Sequence, residues 1–255
     1  MLEALGRVLA RYLTQPRTRG VQPATSKPEA LAAALRVGDV LLVEGNTRIS
    51  SAIKYLTQSS WSHAALCVGR APGVPAVEDP DHTLIEADVR AGVRAVPLST
   101  YASLHTRICR PVGLTPEEVD RVVAHAVSRL GHQYDLKNVF DLARYLIRTP
   151  PIPTHWRRTL LTLGSGDPTR AICSSMIAEA FQSIPYPILP LVFKERSQDP
   201  DCVDCEEEVL QVRPASLMAP RDFDVSPYFA IVKPAIQGGF DPHGLKWAPV
   251  IDRAP

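Results

Sequence analysis

The stretch Arg170-Ala-Ile-Cys173-Ser-Ser-Met-Ile-Ala-Glu-Ala-Phe181 decides how the rest of the chain is read. It reads as an amphipathic helix that carries a cysteine in its first turn. A helix start exposes free N–H groups and the positive end of the macrodipole. Both favour a thiolate over a thiol, which makes a cysteine placed there a candidate nucleophile; taken alone it still reads first as a buried core residue, and only partners elsewhere in the chain reverse that. Working outward, a nucleophile of this kind needs a base, and the base needs an orienting group.

Both are found far upstream. Trp61-Ser-His63 leads into a strand, His63 to Val68, in which His63, Ala65 and Cys67 share one face. Leu84-Ile-Glu86-Ala-Asp88 lies on what reads as the next strand, with Glu86 and Asp88 on one face. Paired antiparallel, the start of the first strand lies beside the end of the second. His63 then falls opposite Glu86 or Asp88 according to the register, and either carboxylate would hold one ring nitrogen. Cys173 would meet the other nitrogen if its helix abuts the strand ends. Histidine, acid and cysteine thus follow one another in that order along the chain.

The bulk properties agree with an ordinary globular enzyme. The chain has 255 residues, 45% of them hydrophobic, which allows a sizeable core. A formal net charge of +1 gives no argument for a nucleic-acid partner. The 24 prolines imply long irregular connections. Five scattered cysteines, an odd number, speak against a disulfide framework and for a reducing compartment. The first residues carry an acid early and arginines within the apolar pattern, unlike a secretory signal, so a cytoplasmic location is expected.

Three regions are expected. Residues 1–28 form an amphipathic helix and a linker; Leu2, Leu5, Leu9, Tyr12 and Leu13 share a helical face that would pack on the domain or, through residues 1–14, rest on a membrane. Residues 29–233 form the main domain. Residues 234–255 form a tail. Strands are expected at Asp39 to Val43, Thr83 to Ala87, Gly92 to Val96, Thr106 to Arg110 and Tyr228 to Lys233, and a short helix at Ile49 to Leu56. Thr115-Pro-Glu-Glu118 is a capping box whose helix ends at Gly131. Further helices are expected at Lys137 to Ile147 and at Trp156 to Leu163, the latter inside a proline- and arginine-rich insertion, residues 149–169.

Cys202-Val-Asp-Cys205 is a single CxxC in an acidic loop, Asp199 to Glu208. A structural zinc site wants four ligands, so no metal is expected, nor any cofactor. Cys67 and Cys109 lie in apolar strands and read as inert. Tyr134, in Gly131-His-Gln-Tyr134-Asp, would supply an oxyanion donor or a substrate contact, and the backbone N–H of Cys173 another donor.

Gly38-Asp39-Val-Leu-Leu, Trp61-Ser-His63-Ala-Ala-Leu, Leu84-Ile-Glu86-Ala87, Gly131-His-Gln-Tyr134-Asp135 and Ile172-Cys173-Ser174-Ser175 occur in this order. The set resembles the circularly permuted papain-like amidases, the YiiX-like branch of the NlpC-type cysteine hydrolases. In that branch the histidine and acid strands precede the cysteine helix. The resemblance covers roughly residues 35–183. It implies an α+β fold with a small antiparallel sheet or barrel packed on the cysteine helix. It implies Cys173 as nucleophile, His63 as base, Glu86 as third member, and Tyr134 with Ser174 at the substrate or oxyanion side; Asp88 stays the alternative acid. The function expected is a cysteine hydrolase that cleaves a peptide or acyl-amide bond through an acyl-enzyme. The alternatives are a lipid-directed thioesterase or acyltransferase using the same Cys–His pair, and a non-catalytic binding module. Substrates would be a small peptide, an acyl-amide or a lipid.

Overall fold

The computed structural model describes residue 15 and residues 24–88, 91–132, 172–196 and 205–244. Strands β1 (Val40–Glu44), β2 (His63–Cys67), β3 (Thr83–Asp88), β4 (Gly92–Pro97), β5 (His105–Pro111) and β8 (Phe229–Val232) form one open sheet in the order β4-β3-β2-β1-β5-β8. Every neighbouring pair is antiparallel. Of the two architectures expected, this is the sheet and not the barrel.

Both faces of the central strands are covered, which explains their nearly continuous apolar sequence. Val40, Leu42, Ala64, Leu66, Ile85 and Ala87 face a cluster built from helices α3 (Pro116–Ser128) and α4 (Ile172–Gln182), including Val122, Ala126, Met176, Ile177 and Phe181. Leu41, Val43, Ala65, Cys67, Leu84 and Ile108 face the other way, onto α1 (Pro28–Ala34) through Leu31 and Ala34. Helix α3 carries the expected capping box: Thr115 accepts from the Glu118 N–H, and Glu118 accepts from the Thr115 N–H. Gly131 follows it with φ +79°, a conformation that suits glycine.

The pairing of β2 with β3 is short, and that positions the site. The two strands pair at Leu66↔Ile85 and Cys67↔Leu84. Toward His63 they part: β2 stays with β1 as far as Val43↔His63, and β3 stays with β4 as far as Asp88↔Gly92. Helix α2 (Arg48–Thr57), carried by the connection between β1 and β2, lies after this same end of β1.

Three features differ from the sequence expectations. Helix α1, opened by Pro28 at its first position, lies where the sequence pattern gave no element. Strands β6 (Leu191–Arg196) and β7 (Glu206–Gln211) form an exposed two-stranded hairpin, so the acidic run Glu206 to Glu208 is strand rather than loop. Cross-strand partners explain it: Lys194 faces Glu208 and Arg196 faces Glu206, which offsets the poor strand preference of glutamate. Cys205, just before β7, is disulfide-bonded, against the expectation of no disulfide framework. Cys67, Cys109 and Cys173 are free.

The tail contains helix α6 (Pro234–Gln237), which contacts α1. The expected elements at 1–14, 137–147 and 156–163 lie outside the described residues. Among the described residues, no helix is long and apolar enough to cross a membrane.

Candidate active site

The segment before His63 is fixed by its aromatic residue. Trp61 donates its indole N–H to Asp224 Oδ2 at 2.9 Å, on helix α5 (Pro220–Asp224). Arg107 of β5 donates to the other carboxylate oxygen at 2.5 Å and lies over the indole, 4.9 Å from its centroid. His105 stacks on the same ring at 5.0 Å. Ser62 continues the clamp, donating its N–H to Val43 O and accepting the Gly45 N–H at 2.8 Å on its hydroxyl. His63 therefore enters β2 from an anchored approach.

The histidine sits at the parted end of β2 and β3. Continuing the register would set Asp88 opposite it, but the diagonal residue Glu86 reaches the ring instead. His63 Nε2 and Glu86 Oε2 are 2.5 Å apart. Asp88 turns away, and its Oδ1 accepts the Ala91 N–H at 2.8 Å in the β3–β4 turn. The choice that the sequence left open thus falls geometrically on Glu86.

Cys173, the second residue of α4, lies near enough to His63 for its sulfur to act on the ring. With Nε2 held by Glu86, the ring nitrogen left for the sulfur is Nδ1. The cysteine helix packs on one face of the sheet, while His63 and Glu86 alternate toward the other. The three side chains meet around the strand end, where β2 and β3 have separated. Cys173 is 4% exposed.

Electrostatics follow from this placement. Burial by itself lowers the His63 pKa, but the Cys173 sulfur and the Glu86 carboxylate outweigh it and raise it to about 10. Burial raises the Glu86 pKa, yet the His63 and Tyr101 hydrogen bonds and the nearby charges of His63 and Arg94 hold it down to about 2. The geometry thus favours a protonated His63 beside the Glu86 carboxylate. Cys67 behaves oppositely: burial, with Asp39 nearby, pushes its thiol up to about 12. Burial likewise pushes the Cys109 thiol up. Both fit inert core thiols.

Two residues at this site escaped the sequence reading. Tyr101, in the turn after β4, donates its hydroxyl to Glu86 Oε2 and lies 3.0 Å from His63 Nε2. Arg94 donates from Nε to Glu86 Oε1 at 2.9 Å, and its terminal nitrogen lies 2.8 Å from the same oxygen. Arg94 was findable, since a β3–β4 hairpin in register sets it directly opposite Glu86. Tyr101 reaches back from a turn, and no spacing announces it.

Ser174 points elsewhere: its buried hydroxyl donates to Met218 O at 2.7 Å and ties the start of α4 to the segment before α5. Tyr134 lies outside the described residues. Among the described residues, no cluster of three or more His, Cys, Asp or Glu side chains is arranged to hold a metal.

Comparison with known proteins bears on this arrangement. Residues 34–145 match the model of the permuted papain-like amidase enzymes, the YaeF/YiiX, C92 family. That segment contains His63, Glu86, Arg94 and Tyr101 and ends before Cys173. A curated relative, the Holliday junction branch migration complex subunit RuvB of a Nitratiruptor species, is 27% identical over 127 residues, 48% of this chain. The match spans only 37% of that protein's length. Among solved structures, the metalloprotein yiiX from Escherichia coli O157:H7 is 17% identical, with a TM-score of 0.45 over 78% of this chain and 97% of that one. With its histidine and acid strands set ahead of the cysteine helix, the chain is similar over residues 34–145 to the permuted papain-like amidase enzymes of the YaeF/YiiX, C92 family.

Proposed function

We propose that the protein cleaves an amide bond, in a small peptide or an acyl-amide, through a Cys173 thiolate and an acyl-enzyme. The observation that carries this reading is His63 set between Cys173 and Glu86 at the parted end of β2 and β3. Cys173 attacks the carbonyl carbon, and the new C–S bond pushes the carbonyl electrons onto oxygen. The backbone N–H of Cys173, in the first turn of α4, is the natural donor to that oxyanion. His63 Nδ1–H then passes its proton to the departing amine as the C–N bond breaks. A water molecule, deprotonated by His63, attacks the thioester and releases the acid. Glu86 stays ionised throughout and keeps the ring oriented.

The test needs no substrate. The alkylation rate of Cys173, followed against pH, rises well below the range in which a free cysteine reacts, and His63→Ala removes that advantage. An ordinary thiol titration that ignores His63 would sink the assignment. Acyl transfer from a thioester or lipid would use the same three side chains. Amide and thioester substrates of matched acyl group, assayed side by side, separate the two chemistries.

A further inference from the structure

We propose that Arg94 and Tyr101 are positioning residues for His63: they keep Glu86 a poor proton acceptor with one oxygen on the ring, so that the proton stays on His63 and Nδ1 stays turned to Cys173. The proposal rests on the Cys173–His63 reading above and deepens it.

Glu86 is 3% exposed. A carboxylate offers about four lone-pair directions, two on each oxygen. Here Oε1 takes two Arg94 nitrogens, and Oε2 takes Tyr101 and His63. Every acceptor direction is filled by an N–H or O–H donor, and the charge of Arg94 and the hydrogen bonds of Arg94 and Tyr101 make the carboxylate a weaker base toward the His63 proton that it already holds in a hydrogen bond. Were Glu86 to take that proton, no imidazolium would remain to protonate a leaving amine.

The two residues do different work. Arg94 supplies fixed charge. Directly opposite Glu86 in the β3–β4 register, it tempers the pull of the carboxylate on His63. Tyr101 supplies geometry. Its hydroxyl donates to Glu86, so its oxygen is turned as a second acceptor toward Nε2, 3.0 Å away. The phenol and imidazole rings are 5.7 Å apart and inclined at 45°, so ring rotation would have to break both bonds. Burial beside Glu86 keeps the phenol neutral, as a donor must be. Other charged groups at this strand end are Cys173 on α4, Asp88 on β3, and Glu44 on β1, the last paired with Lys54 of α2 at 2.8 Å.

Alkylation of the full chain by iodoacetate tests this, with mass spectrometry reading the label on Cys173. The reagent is an anion, so its rate rises with the thiolate and falls again when His63 loses its positive charge. Arg94→Gln exposes His63 to the untempered Glu86 charge and moves the alkaline limb to higher pH, by about half a unit for so exposed an arginine. Arg94→Lys returns it toward the parent value, and Glu86→Gln moves it the other way. Tyr101→Phe lowers the maximal rate roughly tenfold through lost orientation. An alkaline limb that stays put or moves down in Arg94→Gln overturns the role of Arg94, and an unchanged maximal rate in Tyr101→Phe overturns that of Tyr101. A parent protein with no bell-shaped profile overturns the Cys173–His63 reading itself, a failure distinguishable from the other two.

Discussion

At one end of strands β1 to β3, Asp39 is 1% exposed and takes Arg110 on both oxygens, at 2.8 and 2.7 Å, with the Arg36 N–H as a third donor. At the other end Glu86, equally buried, takes Arg94, Tyr101 and His63. Residue types and burial are alike, yet the outcomes diverge. Burial raises the Asp39 pKa, and its arginine and backbone partners offset only part of that. Burial also raises the Glu86 pKa, but there the hydrogen bonds and charges win and hold it low. The donors of Asp39 never titrate, so that pair is a pin: Arg110 goes on to Ala34 O at 2.7 Å and fastens the end of α1 to the sheet. One donor of Glu86 does titrate and is shared with a thiol. In the function proposed above, it is the protonation range of its partner that makes a buried carboxylate part of a reaction centre.

The largest effect expected separates the two ends by chemistry. Cys173→Ala should cut hydrolysis of any amide that the parent cleaves by at least about 10⁴-fold, as loss of a nucleophile does elsewhere. The midpoint of thermal unfolding should move little. Rate assays and a melting curve on one preparation check both. Residual turnover within tenfold of the parent would place the nucleophile elsewhere.

Next comes stability. Arg110→Ala leaves Asp39 buried and unpaired, and removing one partner of such a pair costs about 3–5 kcal/mol. Urea unfolding measures it. The Cys173 alkylation profile of the folded variant should be unchanged, because the pin and the site occupy opposite strand ends. A profile that changes along with stability would break the division drawn between them.

How much of this was legible beforehand differs between the ends as well. The strand positions, the capping box of α3 and the cysteine helix followed from apolar alternation and from helix-start chemistry, which are local. The pairing of His63 with a carboxylate followed from alternation too. The choice of Glu86 over Asp88 depended on β2 and β3 parting after Leu66↔Ile85, and no residue in either strand announces that. Tyr101 and the Asp39–Arg110 pin join residues brought together by tertiary structure alone. The β6–β7 hairpin was hidden because three consecutive glutamates read as loop until their basic partners across the ladder are known.

A third substitution sharpens the comparison from the reactive side. Glu86→Gln keeps the shape of the side chain and removes its charge. The His63 pKa should fall, and the alkaline limb of the iodoacetate profile should move down by about 1–2 pH units, the usual effect of losing an adjacent opposite charge. Asp39→Asn should leave that limb in place. A limb indifferent to Glu86→Gln would mean that the carboxylate neither charges nor orients the ring.

The smallest effect concerns stability against pH, where the two carboxylates carry opposite signs. The Glu86 pKa is held at about 2 against an ordinary 4.5, so its contribution is present above pH 4.5 and is lost as pH falls toward 2. The His63 pKa is raised from 6.5 to about 10, so its contribution is full below pH 6.5 and is lost as pH rises through 10. Asp39 has a raised pKa, and a folded state that binds a proton more tightly than the unfolded one gains stability as pH falls. The reactive end alone therefore creates a stability maximum between about pH 4.5 and 6.5, of a few kcal/mol at most. Denaturation midpoints across a pH series should show that maximum flattening on its acid side in Glu86→Gln and on its alkaline side in His63→Gln. In Asp39→Asn the acid loss should steepen, because the opposing contribution is gone. A maximum that survives Glu86→Gln unchanged would return Glu86 to the role of Asp39, a carboxylate that fastens strands and does nothing for the histidine.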